Sequence, residues 1–257
     1  MGQEQKHTMK VSIITVSFNA EDTIEETLKS IRSQDYDEIE HVLIDGGSTD
    51  KTMSIVQQYK AGIDSLISEP DQGIYDAMNK GLACCTGDLI GILNSDDTYA
   101  DPRVISDVVK AIDKSGADAC YADLDYVDRE DDYRIVRRWI SGPYNRTSFR
   151  NGWMPPHPTF FLRREAYERY GKFNTSIQTS ADYELMLRML YKNGLRATYL
   201  NRVIVKMKTG GQSNHSLLNR VQSNREDRKA WQVNGLKPGL VTFWWKPLRK
   251  IEQYFRR

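Results

Sequence analysis

Apolar residues in the first 115 positions follow two spacings, one typical of buried strands and one typical of amphipathic helices. Continuous apolar runs predict four strands, at VSIITVSFN, HVLID, SLIS and DLIGIL. Between the strands, apolar residues recur every three or four positions, as in Ile24, Leu28 and Ile31, and predict helices. This alternation of strand and helix predicts a parallel sheet that is covered by helices on both faces.

After residue 115 the alternation weakens, and the pattern predicts a smaller mixed region. YADLDYV and YRIVRRWI predict a hairpin or mixed sheet, and the loop SGPYNRTSFRNGWMPPHP that follows holds four of the eight prolines. Loops of this length are commonly functional. TFFLR predicts a strand, EAYERYG a short helix, SADYELMLRMLYKNG a longer helix that ends at Gly194, and LRATYL and VIVKM two more strands.

These patterns divide the chain into three parts. We expect a flexible lead over residues 1–9 and an α/β domain over residues 10–215, with halves at 10–115 and 116–215. Residues 216–257 are expected to form a helical tail that is basic and aromatic.

Charge is balanced overall but unevenly distributed. The 257 residues are 39% apolar and 28% charged, with a net charge of +1, which is typical of a folded protein with a core. Residues 237–257 carry a net charge of +5 and the preceding 236 residues one of −4. A near-zero total argues against nucleic acid as a partner. The three cysteines lack C-x-x-C spacing, which argues against a zinc site or a disulfide scaffold.

Apolar run lengths and the sequences of the two termini predict where in the cell the protein is located. No apolar run is long enough to span a bilayer and MGQEQKHTMK lacks a secretory pattern, so we expect a cytoplasmic protein. The tail LVTFWWKPLRKIEQYFRR combines aromatic and basic side chains, which predicts a peripheral anchor on the anionic inner face of the cytoplasmic membrane. Alternatively, its aromatic residues pack on the preceding domain or form a homodimer contact.

Polar clusters follow three predicted strands, at residues 15–19, 45–50 and 94–97. Ligands of open parallel sheets bind at the carboxyl ends of the strands. Asp96 and Asp97 are suited to Mg²⁺ or Mn²⁺, and the alternative is that they cap a turn. For Asp45 the alternative to ligand binding is an ordinary Asx turn. Asp182 begins a predicted helix, where it is either a favourable charge on the helix dipole or a general base.

Six blocks between Val11 and Ser213 together resemble family 2 glycosyltransferases of the GT-A fold. They are VSIITVSFNAEDTIEETLKSI, HVLIDGGSTDKT, EPDQGIYDAMNKG, GDLIGILNSDD, HPTFFLRREAYERYGKFN and SADYELMLRM. The most similar subgroup is that of bacterial enzymes of exopolysaccharide, capsule or O-antigen assembly. The resemblance implies a Rossmann-like, mostly parallel central sheet flanked by helices, with a smaller mixed region on the acceptor side.

The resemblance also implies roles for individual residues. Those implied to bind the nucleotide sugar are Thr15, Val16, Phe18, Asp45, Asp71, Asn79, Lys80, Asn94 and Ser95. Asp96 is implied as the ligand of a divalent metal, Mg²⁺ or Mn²⁺, and Asp182 as the catalytic base. His157 and His215 are candidates for the acceptor side or for a mobile loop at Gly210–Ser213.

Three positions depart from the family pattern. In the family, the acidic motif after the fourth strand reads D-x-D-D, and here it reads N-S-D-D. Asn94 therefore replaces the first acid, which removes a negative charge beside the metal. Met78 stands where many relatives have Arg, so Asp71, Asp76 or Lys80 is a candidate to replace that contact. Ala181 replaces the first acid of the late E-D pair, whose Asp is retained as Asp182.

The implied activity is inverting transfer of a hexosyl group from a nucleotide sugar, a UDP-sugar, to a hydroxyl of a glycan or an undecaprenyl-diphosphate-linked acceptor in surface polysaccharide biosynthesis. One alternative is a catalytically weak protein that binds nucleotide or carbohydrate. A metal-dependent nucleotidyltransferase is a second alternative, but SFNAEDT is acidic where a basic glycine-rich phosphate loop would be needed.

Overall fold

The computed structural model describes residues 8–131, 133–210, 217–239 and 242–243, with the backbone alone over residues 217–224. The strands are β1 (Val11–Ser17), β2 (Ile39–Asp45), β3 (Ser65–Ser68), β4 (Leu89–Ile92), β5 (Asp97–Tyr99), β6 (Ala119–Val127), β7 (Ile135–Trp139), β8 (Phe161–Arg163) and β9 (Ala197–Lys208). The α-helices are α1 (Ile24–Arg32), α2 (Thr52–Gln58), α3 (Ile74–Cys84), α4 (Val104–Ser115), α5 (Arg164–Tyr170), α6 (Ala181–Met186) and α7 (Leu217–Val233).

The nine strands of the described residues form a single sheet in the order β3-β2-β1-β4-β8-β6-β9-β5, with β7 paired to β6. The pairs β2–β3, β1–β2 and β1–β4 are parallel, as the alternation of strand and helix predicts. The pairs of β8 with β4 and β6, of β5 with β9 and of β7 with β6 are antiparallel. The sheet is therefore parallel in its first half and mixed in its second.

Two predictions for the second half need correction. LRATYL and VIVKM were predicted as two strands but contribute to the single strand β9. Between them, the register with β6 shifts from Ala122↔Leu200 to Asp123↔Val203. Asn201 and Arg202 bulge out of the ladder there while the strand continues. β5, which was not predicted, begins at Asp97, the last residue of the Asn94–Asp97 turn, and pairs with the end of β9.

The core lies on both faces of the sheet. Every residue of β1 is buried, and its alternate side chains enter different layers, Ile14 with α3 and Ile13 with α4. Gly91 in β4 is required by packing, since a Cβ atom at this position would lie 2.4 Å from the Phe161 ring. The parallel strands read as continuous apolar runs because both of their faces are covered.

The long proline-containing loop folds back onto the core. It contains two 3₁₀ turns, Phe149–Asn151 and His157–Thr159. Within it, the Trp153 ring stacks on Tyr144 with centroids 5.2 Å apart and meets Phe149 edge-on at 5.5 Å. This aromatic packing fixes the path of the loop and brings His157 beside the end of β4.

The tail begins as part of the domain. Ala230 and Trp231 of α7 are fully buried in the same core layer as Val16 of β1. Farther along, the Thr242 hydroxyl donates to the Arg150 carbonyl at 2.6 Å. Of the predicted anchor, residues 240–257, only Thr242 and Phe243 are among the described residues. No helix in the described ranges is long and apolar enough to cross a membrane.

Candidate functional site

The loops that follow β1, β2 and β4 meet at one edge of the sheet. Ser17 at the end of β1 pairs with Asp45 at the end of β2, and the Gly46 amide donates to the Ser17 carbonyl at 2.8 Å. On the other side of β1, the Ser95 amide donates to the Val16 carbonyl at 3.2 Å. The three polar clusters predicted from sequence therefore lie side by side at this edge, and the open side of the edge is called the crevice below.

Asp45 organises this edge from inside the protein. Its carboxylate is fully buried and accepts five hydrogen bonds, from the Ser17, Ser48 and Ser68 hydroxyls and the Gly47 and Ser48 amides. Both carboxylate oxygens are thus satisfied within the protein. The side chain is buried beneath this edge, which favours the Asx-turn alternative, and a contact of Asp45 with the nucleobase stays a prediction.

Phe18 and Asp71 lie on the open side of the same edge. The Phe18 ring is 53% exposed, and both side chains cover Gly46. A Cβ atom at Gly46 would lie 2.4 Å from Asp71 Oδ2 and 3.4 Å from the Phe18 ring. Asp71 Oδ1 accepts the Gly73 amide at 2.8 Å, which fixes the carboxylate beside the aromatic ring. This corner offers a stacking face and an acceptor to a planar ligand.

Three residues implied to bind the nucleotide sugar have structural contacts instead. The Thr15 side chain is fully buried, with its hydroxyl 3.0 Å from His41 Nε2, and the Val16 side chain is in the core. Asn79 makes two hydrogen bonds to the Phe173 backbone, donating to its carbonyl and accepting from its amide, both at 2.9 Å. The polar groups of Thr15 and Asn79 are thus engaged by neighbouring elements and the Val16 side chain packs in the core, while their contacts with a nucleotide sugar stay a prediction.

Lys80 and Ser95 are the remaining members of that set outside the acidic turn. The Lys80 ammonium lies 2.8 Å from Glu69 and 3.6 Å from Asp76, and it donates to the Pro70 carbonyl at 3.1 Å. It therefore secures the loop that carries Asp71. Ser95 is buried inside the turn that follows β4.

The Asn94–Asp97 turn presents oxygen atoms that have no protein partner. Asn94 Oδ1 and Asp97 Oδ1 are buried and accept no hydrogen bond from the described part of the chain. Burial raises the pKa of Asp97 well above its usual range, and the adjacent Asp96 raises it further. Burial also raises the pKa of Asp96. A hard divalent cation would stabilise this arrangement, in which the buried Asp97 carboxylate and the Asn94 amide each have an unpaired oxygen and the half-buried Asp96 lies beside them.

The oxygen set in this turn fits Mg²⁺ or Mn²⁺, with Asn94, Asp96 and Asp97 as the residues that would hold it. Across the described ranges, no cluster of three or more His, Cys, Asp or Glu side chains could hold a metal ion. The fit therefore depends on the amide oxygen of Asn94, which takes the place of a third carboxylate.

Asp182 lies in the same crevice, at the first turn of α6. Its carboxylate is 19% exposed, with Oδ2 3.4 Å from His157 Nδ1. The Tyr75 hydroxyl donates to Oδ1 at 3.1 Å, and burial raises the pKa of Tyr75 well above its usual range, so this donor keeps its proton. On its other side, His157 Nε2 lies 3.3 Å from the Asn94 amide nitrogen. His157 thus connects the acidic turn to Asp182.

Tyr75 and two basic residues near the acidic turn were not identified from sequence. Tyr75 lies within the block EPDQGIYDAMNKG, but only the structure shows that it faces Asp182. The positive charges of Arg129 and Lys208 are close enough to Asp96 to oppose the effect of burial on its pKa. Only the pairing of β6 with β9, in which Val127 is opposite Lys208, brings these distant positions together. His215 and residues 211–213 of the predicted loop lie outside the described residues.

Comparisons with known proteins identify the family of this chain. Residues 12–171 match the family described as glycosyl transferase family 2. An uncharacterized glycosyltransferase of Mycobacterium tuberculosis is 36% identical over 180 residues, which cover 69% of this chain and 68% of that protein.

Two solved structures share the fold. The mannosyltransferase PcManGT from Pyrobaculum calidifontis, in complex with GDP-Man and Mn²⁺, has a TM-score of 0.66 at 22% identity, covering 97% of this chain and 70% of its own. S. aureus TarS in complex with UDP-GlcNAc has a TM-score of 0.63 at 19% identity, covering 88% of this chain and 65% of its own. The fold is thus the GT-A fold predicted from sequence, and the chain belongs to glycosyltransferase family 2.

Proposed function

We propose that this protein is an inverting glycosyltransferase that moves a hexosyl group from a UDP-sugar to a hydroxyl of a glycan or a lipid-linked glycan in surface polysaccharide biosynthesis. The observation that carries the proposal is the position of Asp182. This carboxylate is partly exposed in the crevice that contains the Asn94–Asp97 turn, and His157 lies between the two, 3.4 Å from Asp182 and 3.3 Å from Asn94.

The nucleotide is assigned to the corner formed by Phe18, Gly46 and Asp71. Phe18 offers an exposed ring on which a base can stack, and Asp71 offers a carboxylate oxygen to the polar edge of that base. Glycine at position 46 leaves the space that these two side chains occupy. Asp45, buried behind them, holds the loop in place through its five hydrogen bonds.

The diphosphate is assigned to the acidic turn and its basic surroundings. Asn94, Asp96 and Asp97 would hold the divalent cation, and Arg129 and Lys208 lie on the same side. A bound cation supplies Lewis-acid stabilisation of the negative charge that develops on the leaving diphosphate. TarS binds UDP-GlcNAc and the mannosyltransferase binds GDP-Man with Mn²⁺, which supports a donor and cation of this class.

Asp182 is assigned as the general base. It takes the proton of the acceptor hydroxyl as that oxygen forms a bond to C1 of the donor sugar. The bond from C1 to the phosphate oxygen breaks on the opposite face, and its electron pair leaves with the nucleoside diphosphate. One displacement inverts the anomeric centre without a covalent intermediate. Tyr75 and His157 hold the two carboxylate oxygens toward the crevice.

Transfer assays with a panel of nucleotide sugars and lipid-linked acceptors, read by mass spectrometry in the presence of Mn²⁺, test the proposal. Asp182→Asn should reduce transfer by at least about a hundredfold, because a general base contributes roughly 10²–10⁴-fold. Asp113→Asn, at an exposed position on α4, is the matched control and should be fully active. Transfer by Asp182→Asn at the parent rate would show that the assigned base is wrong.

One second candidate, a catalytically weak nucleotide-binding protein, is favoured by two positions. Asn94 provides an amide where an acid is usual in the family. Met78, which stands where many relatives have Arg, is buried in the core, so this position has no positive charge. Calorimetry with UDP in the presence and absence of Mn²⁺, followed by a hydrolysis assay of the bound donor, separates the candidates. Binding with no turnover of any donor would favour the second.

The association with membranes rests on the charge of the tail. Residues 237–257 have a net charge of +5 with interspersed aromatic residues, which suits an anionic surface where a lipid-linked acceptor would lie. Deleting residues 244–257 retains Thr242 and Phe243, which contact the domain. If the deletion leaves co-sedimentation with anionic liposomes unchanged, the tail is not the anchor.

A further inference from the structure

The segment leading into α6 is held by one face of α7. The Glu226 carboxylate accepts the Gln178 amide at 3.2 Å and the Thr179 amide and hydroxyl, each at 2.6 Å. Lys229, one turn farther on, donates to the Ser176 carbonyl at 2.5 Å. Both backbone amides bonded to Glu226 belong to the turn just before Asp182, and bonds from N–H groups to a charged acceptor are among the stronger ones in proteins.

A second set of bonds from α7 holds the residues just after Asp182. The Trp231 indole donates to the Tyr183 hydroxyl at 2.8 Å, and both side chains are buried. The Asn234 amide, directly after α7, donates to Glu184 Oε1 at 2.8 Å. The backbone of Asp182 therefore lies between two anchored stretches, 176–179 and 183–184, that are both attached to the same helix.

We propose that Glu226 and Trp231 are positioning residues for the Asp182 base, so that α7 is part of the acceptor half of the active site. This inference rests on the proposed function, which makes Asp182 the base. Tyr75 and His157 orient the Asp182 carboxylate, whereas α7 fixes the backbone from which it projects. A shift of about 1 Å in a catalytic group can cost about a hundredfold in rate, so the attachment acts on turnover more than on donor binding.

The test uses variants of the full chain. Glu226→Ala removes the acceptor of the two amides, Glu226→Gln keeps one acceptor oxygen, and Trp231→Phe removes the indole donor but keeps most of the ring volume. Arg225→Ala changes the exposed neighbour of Glu226 on the same helix and is the matched control. Three properties are measured: amide hydrogen exchange of residues 178–184, affinity for UDP with Mn²⁺, and kcat and KM for the UDP-sugar selected by the panel.

In Glu226→Ala, exchange at residues 178–179 should rise by about tenfold, because the charged acceptor that protects both amides is lost. kcat should fall by at least about tenfold, while donor KM and UDP affinity stay within about twofold of the parent. Glu226→Gln should recover part of both losses, and Arg225→Ala should match the parent.

Unchanged exchange or unchanged kcat in Glu226→Ala would overturn the inference, as would an equal loss in kcat and in UDP affinity. Failure of the proposed function has a different signature. In that case Asp182→Asn would turn over at the parent rate, or no donor would react, while exchange near Glu226 would still respond to the variants.

Discussion

The family resemblance implies that Asn79 binds the nucleotide sugar, whereas the structure shows it bonded to the backbone of Phe173. The variant Asn79→Ala distinguishes these two roles. The side chain joins α3 to Phe173 through two hydrogen bonds of 2.9 Å across 94 positions of sequence. Alanine removes both bonds and leaves the Phe173 amide and carbonyl without these partners. Each net hydrogen bond is worth about 0.5–1.5 kcal/mol, and each buried group left unpaired costs about 1–3 kcal/mol.

Because Asn79 is only partly buried, water can reach some of the freed groups, and we expect the free energy of unfolding to fall by about 2–4 kcal/mol. Affinity for UDP with Mn²⁺ should stay within about twofold of the parent. Urea unfolding measures the first quantity and calorimetry the second. The neighbouring variant Lys80→Met, which removes a partly exposed ion pair with Glu69, should cost less than about 1 kcal/mol.

The opposite pattern would refute this reasoning. If Asn79→Ala unfolds at the parent urea concentration but loses UDP binding, the amide contacts nucleotide, and its bonds to Phe173 contribute little. If both properties change, binding measured well below the unfolding transition separates a direct contact from partial unfolding.

Three further predictions concern the crevice, the sheet and the pH dependence of stability. Phe18→Ala should weaken UDP binding by about tenfold through loss of stacking, with the urea midpoint unchanged because the ring is 53% exposed; unchanged affinity would remove Phe18 from the site. Gly91→Ala should cost about 1–3 kcal/mol, since its Cβ would lie 2.4 Å from the Phe161 ring, whereas Gly62→Ala, with nothing within 4 Å, should be near neutral by thermal unfolding. Glu40 is buried among lysine, serine and threonine donors that lower its pKa to about 2, although burial acts in the opposite direction. Its ionised form therefore stabilises the fold above about pH 4.5, and this contribution is lost as pH falls toward 2. Glu40→Gln should cost about 2–3 kcal/mol at pH 7, and a deficit that does not shrink in acid would contradict the assignment.

Much of the first half of the fold follows from local sequence. β1, β2 and β4 are buried on both faces, so each reads as a continuous apolar run, and the polar residues that end these runs mark the crevice. The hairpin of β6 and β7 and the short helix α5 were also predicted from their patterns. β9 was divided into two predicted strands because a polar bulge interrupts its apolar pattern without ending the strand.

Side-chain direction at the strand ends was not predictable in the same way. Asp45 and Asp71 both follow strands and look equally suitable as ligands, yet one is buried under five donors and the other lies beside the exposed Phe18 ring. Thr15 lies inside β1, two residues before its end, and the pleat of the strand turns its side chain toward His41. Which face a residue occupies depends on strand register and on neighbours from other parts of the chain.

The sequence by itself determined the family, the order of the first strands and the positions of the acids, because periodicity and motif spacing are local properties of the chain. Tertiary structure decided which of those acids share a site. Tyr75 meets Asp182 across 107 positions, and His157 meets Asn94 across 63. The hydrogen bond from Trp231 of α7 to Tyr183, next to Asp182, joins residues 48 positions apart. Such contacts arise where loops converge at one edge of the sheet, and that convergence depends on the packing of the whole domain.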